Sequence, residues 1–293
     1  MSSYVIITPA HNEAELIIGT IESIIAQTIH PKVWLLVDDG STDGMSEIVK
    51  SYQVKAPFLR YLYLARDTIR TYYARRTHVF LAGYEVIKRE PFEFLAALDA
   101  DIHLESRYYE TILAAFAADA KLGIASGVYE DVIDNVPRAV LRDPEGQSTP
   151  GGIHVFRRAC YEQIGGYKPL LYGGDDSLAN IEAQMHGWRT RALPECRALH
   201  FRPVGTRGGA SILGARYRQG MAEYDLGSHP LFMLAKSLRR AVKESPLLIG
   251  SAARLAGYCR SYLLRKPRSI PRSVERFVQG QQLSRLGRFL GRR

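Results

Sequence analysis

Glu93-Phe94-Leu95-Ala96-Ala97-Leu98, followed by Asp99-Ala100-Asp101, is an apolar run that ends abruptly in two carboxylates. The run has the length of a strand and shows no alternation, the pattern of a strand buried on both faces. It is the fourth of its kind. Tyr4–Thr8, Val33–Val37 and Leu59–Leu64 precede it. Between and after these runs lie helical stretches: one opening near Asn12, then Met45–Val54, Thr71–Lys88 and Arg107–Ala118. In the first, Asn12 is the expected cap with Glu15 completing a capping box, and Ile17, Ile18, Ile21, Ile24 and Ile25 share one face. Four strand–helix alternations predict an α/β fold with a mostly parallel sheet flanked by helices. Ligands of such sheets sit at the carboxyl ends of the strands. Those ends carry Pro9–Glu13, Asp38-Asp39 and Asp99–Asp101.

After about Gly123 the pattern becomes mixed, punctuated by Gly151-Gly152, Gly165-Gly166 and Gly173-Gly174. The expectation is one domain over residues 1–229, its regular strand–helix part spanning about 1–122 and its mixed part about 123–229. Residues 230–293 form a basic helical extension.

The charge supports that division. The net +9 is uneven: residues 230–293 hold 15 Lys/Arg against 2 Asp/Glu, net +13, while the remainder is −4. Such a tail suits an anionic membrane, nucleic acid or an acidic substrate. Without a zinc-finger or RNP-type module, nucleic acid is not expected as a partner. Two amphipathic candidates lie in the tail. Leu247–Leu264 places Leu248, Leu255, Tyr258 and Tyr262 on one side. Val274–Leu290 sets Val274, Val278, Leu286 and Phe289 against Arg276, Arg285, Arg288 and Arg292. Each reads either as a membrane-surface helix or as a helix packed on the domain.

Cys160, Cys196 and Cys259 are odd in number and lack metal-ligand spacing, which points to a reduced, cytoplasmic setting. Met1-Ser2-Ser3-Tyr4 does not resemble the start of a secretory signal, and no apolar run reaches the length of a membrane span. Any membrane association would therefore be peripheral, on the inner face of the cytoplasmic membrane.

Two carboxylates at i and i+2 after a buried strand put oxygen ligands near one point, which suits Mg²⁺ or Mn²⁺ with phosphate as co-ligand. Taken alone, Asp99-Ala100-Asp101 is equally a solvated turn. Asp38–Asp43 can accept from a base or a ribose, or can cap the next helix. Arg66, Arg70, Arg75 and Arg76 surround the start of the long helix, and guanidinium groups match diphosphate oxygens. For Arg70 and Arg76 a solvated basic face is the simpler reading. Asp175-Asp176 offers a base for a hydroxyl nucleophile, since adjacent aspartates raise each other's pKa. His200 is a candidate ligand or a structural histidine.

The combination resembles glycosyltransferase family 2, with its GT-A fold. The matching stretches are Thr8-Pro9-Ala10-His11-Asn12-Glu13, Val37-Asp38-Asp39-Gly40-Ser41-Thr42-Asp43-Gly44 and Leu98-Asp99-Ala100-Asp101. Phe156-Arg157-Arg158, Ile164-Gly165-Gly166-Tyr167 and Gly174-Asp175-Asp176 follow in order. The resemblance implies inverting transfer from a nucleoside-diphosphate sugar to a saccharide or lipid-linked acceptor, with Mn²⁺ or Mg²⁺, residues 1–122 being the nucleotide-sugar part of a catalytic domain and 123–229 its acceptor part. It implies a nucleoside pocket lined by Pro9 and Glu13, with His11 and Asn12 beside it and His11 as wall. Asp39 would hold the base, and Arg75 matches the family's arginine. Asp99 would hold ribose or the metal's shell, with Ala100 next to it. Asp101 would bind the metal, with His200 as a further ligand. Asp176 would be the catalytic base and Asp175 the next candidate. The family usually shows Glu-Asp at that point, where this chain has Asp175-Asp176.

Two other readings compete. A nucleotidyltransferase also uses a carboxylate-bound metal in an α/β site, but no Gly-rich phosphate loop with an adjacent lysine follows the first strand. A non-catalytic nucleotide-sugar-binding module is opposed by the intact Asp101 and Asp175-Asp176.

Overall fold

The computed structural model describes residues 3–66, 71–134, 136–140, 146–202, 211–243 and 246–290. Arg70 and Arg292 lie outside the described residues, as does the side chain of Phe289. The chain divides into two compact units, residues 1–169 with 175–203, and residues 170–174 with 204–293.

The first unit is built on one mixed sheet. β1 (Tyr4–Ala10), β2 (Val33–Asp39) and β4 (Phe94–Ala97) are buried along their whole length, and β3 (Leu59–Leu64) is half covered. They pair in parallel in the order β3-β2-β1-β4. The crossovers are α1 (Ala14–Ile25), α2 (Met45–Tyr52) and α3 (Tyr72–Ile87). Beyond β4 the sheet continues with short β5 (Ile102–Leu104), long β6 (Leu122–Ile133), β7 (Val136–Ala139), β8 (Val155–Arg157) and long β9 (Arg189–His200). β8 is antiparallel to β4 and β6, β9 is parallel to β6, and β5 is antiparallel to β9. α4 (Tyr108–Ala118), α5 (Arg158–Gln163) and α6 (Asp175–Met185) complete this unit. The expected α/β architecture is present, with the antiparallel strands confined to its second half.

The β6–β9 pairing is interrupted. Ser126 faces Ala192 but Val128 faces Arg197, so a stretch of β9 bulges opposite Gly127. The backbones approach closely there: a Cβ on Gly127 would lie 2.3 Å from the Cys196 carbonyl oxygen. Past the bulge the register brings Asp131 opposite His200.

The first helix is not capped as its sequence suggests. Asn12 sits at φ 52, and the N-cap of α1 is Glu13, without a side-chain bond. Asn12 Oδ1 instead accepts from Thr42 N, while Asp43 Oδ2 accepts from Ala14 N at 2.8 Å. The cap therefore comes from the loop after β2, and it ties the two strand ends together. Ile17, Ile21 and Ile24 of α1 are buried, whereas Ile18 turns outward.

The second unit is helical: α7 (Ile212–Asp225), α8 (Pro230–Ala241), α9 (Ile249–Leu263) and α10 (Arg272–Leu290). α7 and α9 touch backbone to backbone. A Cβ on Gly220 would lie 1.8 Å from Arg254 O, and one on Gly257 2.0 Å from Tyr217 O. Met233, Tyr224 and Tyr258 form a small core with Leu255 packed against it. Of the apolar side expected on α9, Tyr258 is buried, but Leu248 and Tyr262 are exposed. The first half of α10 is a packed element: Val274 and Val278 are buried, Gln279 Nε2 donates to Gly227 O, and Gln282 Oε1 accepts from His229 N. No helix among the described residues is long and apolar enough to cross a membrane.

Candidate active site

The carboxyl ends of β1, β2 and β4 gather the residues singled out from sequence. Pro9 and Glu13 are buried, His11 is half-buried and Asn12 is exposed. Asp39, at the end of β2, is forked by Arg75 from α3, whose Nη2 donates to Asp39 Oδ1 at 3.1 Å and whose Nε donates to Oδ2. Arg66 is exposed and lies against Gly40. Burial pushes His11 below its ordinary pKa, the Arg66 charge adds to that, and Asp39 opposes it.

Arg76 corrects the reading of a solvated basic face. Its guanidinium is mostly buried and forks onto Asp99 Oδ1, with Nη2 at 2.6 Å and Nε at 3.1 Å. Its Nη1 also lies 3.6 Å from Asp175 Oδ2. Successive arginines on α3 thus hold carboxylates from two different places, because residues one apart on a helix diverge by about 100°.

Asp101 and Ala100 are fully buried. His200, at the end of β9, points Nε2 at Asp101 Oδ2 across 3.7 Å. Its Nδ1 lies 2.7 Å from Asp131 Oδ1; with Nδ1 donating to that carboxylate, a neutral imidazole would present its Nε2 lone pair toward Asp101. No three His, Cys, Asp or Glu side chains among the described residues are arranged to hold a metal by themselves. A buried carboxylate facing an imidazole nitrogen is nevertheless a donor set that fits Mn²⁺ or Mg²⁺, with phosphate and water as further ligands.

Asp175 and Asp176 open α6. Asp175 is buried and accepts from Thr77 Oγ1 at 3.1 Å. Asp176 is less buried; its Oδ1 accepts from Ser177 N and its Oδ2 from Gly151 N. Burial raises both above the usual carboxylate range; Asp176 adds to the rise at Asp175, and Arg76 opposes it at both.

The glycine pair explains how the two acidic groups meet. A Cβ on Gly152 would stand 2.9 Å from Asp99 Oδ2, and one on Gly151 2.5 Å from Asp176 Cβ. Gly152 O also accepts from Asp99 N. In the sequence the pair reads only as punctuation between short elements.

Other neighbours had no sequence signal. Tyr129 lies close enough to Asp176, Asp131 and Asp99 for their charges to add to the burial that raises its phenol. Arg202, two residues past His200, forks onto Glu13 at 2.7 and 2.9 Å. Asp131 was missed because its link to His200 depends on strand register.

Solved structures with this fold are glycosyltransferases of the GT-A type. Pyrobaculum calidifontis mannosyltransferase PcManGT, in complex with GDP-Man and Mn²⁺, aligns with a TM-score of 0.60 at 18% identity, over 90% of this chain and 88% of that one. GalNAc-T7 with UDP, GalNAc and Mn²⁺ gives 0.59 at 15% identity, over 90% and 55%. S. aureus TarS gives 0.56 at 17% identity, over 83% of this chain but only 44% of TarS. No curated protein sequence matches the chain. The sequence profile of glycosyl transferase family 2 matches residues 5–168. With more than half its length under that profile and a GT-A sheet beneath it, the chain belongs to glycosyl transferase family 2.

Proposed function

We propose that this protein transfers a sugar, with inversion, from a nucleoside-diphosphate sugar to a hydroxyl of a saccharide or lipid-linked acceptor. One observation carries the reading. Asp99, just after β4, and Asp176, at the start of α6, both lie against Gly151-Gly152, while Asp101 and His200 face each other. This arrangement supports a donor-side cluster with a base beside it. PcManGT and GalNAc-T7, with their nucleotide ligands and Mn²⁺, support the donor class.

The nucleoside end would lie against Pro9, His11, Asn12 and Glu13, with Asp39 at the base and Arg66 at the rim. Arg75 fixes Asp39 in its buried position. Asp101 and His200 would hold the cation, which offsets the charge that develops on the departing diphosphate. Asp99, oriented by Arg76, would accept from ribose or from the cation's water shell. Asp176 would take the proton of the acceptor hydroxyl. Burial raises its pKa, which makes it a stronger base than a solvated aspartate and places it closer to working pH. Asp175, occupied by Thr77 and Arg76, is the less available of the two.

The tail supports the acceptor and pathway part of this reading: a +13 segment suits work at an anionic membrane surface, as in polysaccharide or glycolipid synthesis. The decisive experiment is calorimetric titration with UDP-GlcNAc and with GDP-Man, in Mn²⁺ and in EDTA, followed by a screen for metal-dependent donor hydrolysis. Metal-dependent binding of one donor is expected. Equal affinity in both conditions would remove the cation from the mechanism.

A further inference from the structure

α8 is amphipathic the wrong way round for a helix in water. Its inward face carries Ser237, buried, and Lys236, whose ammonium pairs with Glu223 of α7. Only Met233 among its aliphatic side chains is fully buried. Leu231, Leu234, Leu238 and Val242, spaced i, i+3, i+7 and i+11, form one stripe, and they are 60, 47, 65 and 69% exposed. The turn that follows adds Leu247 and Leu248, both more than half exposed. Scattered exposed leucines are ordinary; a stripe of four continued by an apolar turn is a contiguous patch that marks a contact surface.

The charges around the stripe choose the occupant. Arg239 and Lys243, one residue after Leu238 and Val242, are exposed beside it. Residues 230–264 contain six Lys/Arg and one acidic residue, Glu244. An apolar stripe bordered by cations and almost free of acids is complementary to an anionic lipid surface, where the leucines enter the acyl boundary and the cations stay at the headgroups. The helix is about 18 Å long at 1.5 Å per residue, too short to span a bilayer but long enough to lie in its interface.

We infer that the outer face of α8, continued by the Leu247-Leu248 turn, is an interfacial anchor for anionic membrane. This deepens the membrane part of the proposed function and moves the contact away from α10, whose first half is packed. It rests on that membrane reading but is independent of the transfer chemistry.

The test is co-sedimentation of the full chain with vesicles of phosphatidylcholine alone and mixed with phosphatidylglycerol. Wild type should sediment with the anionic vesicles, less so at high salt. Leu234→Glu/Leu238→Glu should lose about tenfold or more in partitioning with an unchanged melting temperature, since both side chains are exposed. Arg239→Gln/Lys243→Gln should weaken binding to the anionic vesicles only. As a probe that does not rely on losing a contact, Leu238→Trp should give a blue-shifted emission on adding anionic vesicles. Wild type that fails to sediment would overturn both this anchor and the membrane reading. Wild-type-like sedimentation of the double glutamate variant, with no shift for Leu238→Trp, would overturn the anchor alone. A concentration-dependent dimer dissociated by the glutamate variant, without vesicle binding, would assign the face to a second copy of the chain.

Discussion

Gly151 stands so close to Asp176 that a single methyl group on its Cα would lie 2.5 Å from the Asp176 Cβ. The turn can approach the acidic pair only because that methyl is absent. Gly151→Ala should therefore displace Asp176 or the turn, while leaving the strands intact. A loss of about tenfold to a hundredfold in kcat is expected, with donor affinity nearly unchanged. Unaltered kcat would show that the contact is not needed for transfer.

Asp101→Asn and Asp176→Asn should separate the two halves of the reaction. The first should abolish the difference in donor affinity between Mn²⁺ and EDTA. The second should keep that difference and lose about 10²–10⁴-fold in transfer. Transfer by Asp176→Asn at the wild-type rate would shift the base to Asp175.

Arg76→Gln should act through its carboxylate neighbours. Arg76 opposes the burial-driven rise at both Asp175 and Asp176, so its removal should move the acid limb of the kcat profile to higher pH. The variant also leaves Asp99 without its guanidinium, at a stability cost of about 3 kcal/mol, the low end for breaking a buried pair. Lost stability with an unmoved acid limb would make Arg76 structural only.

His154 provides a pH test of stability. It is fully buried between Thr149 and the Tyr167 hydroxyl, and burial lowers its pKa to about 4. Between that value and its ordinary 6.5 the unfolded chain binds the extra proton and the folded chain does not. This site's contribution therefore falls as pH drops from 6.5 toward 4, by roughly 3 kcal/mol in total. The rising Asp175 and Asp176 pKa values act in the opposite sense, so the comparison must be made against His154→Gln in denaturant melts. The variant should show a smaller loss over that window; an identical pH slope would remove His154 from the account.

Removing residues 272–293 should destabilise the helical unit, since it uncovers the surfaces that bury Val274 and Val278. A cost of about 3 kcal/mol is expected from those two side chains, read as a lower melting temperature. If vesicle sedimentation falls while the melting temperature holds, α10 rather than α8 is the lipid contact.

The first half of the sheet was readable because buried parallel strands announce themselves as unbroken apolar runs. β1, β2 and β4 are such runs, and the acidic residues at the ends of β2 and β4 follow from that; β3 has the predicted bounds, Leu59–Leu64, although Arg60 interrupts it and it is half covered. What failed were contacts between segments distant in sequence. Asn12 has the chemistry of a cap, but Asp43, on another loop, takes the role. Arg76 looked like a surface cation because its neighbours on α3 do not reveal that Asp99 and Asp175 converge there. Asp131 gave no signal at all, since nothing local to Asp131 specifies its partner on β9.

That last pairing makes the β9 bulge more than an irregularity. Side chains alternate faces along a strand, so a one-residue change in the length of β9 downstream of Arg197 would turn His200 away from Asp101 and Asp131 together. Upstream, the bulge gives the strand slack, and a change of length there can be absorbed before the register resumes at Val128 and Arg197. The few residues from Arg197 to His200 thus act as a ruler. Insertions scanned along β9 should be tolerated before it and should abolish cation-dependent donor binding within it.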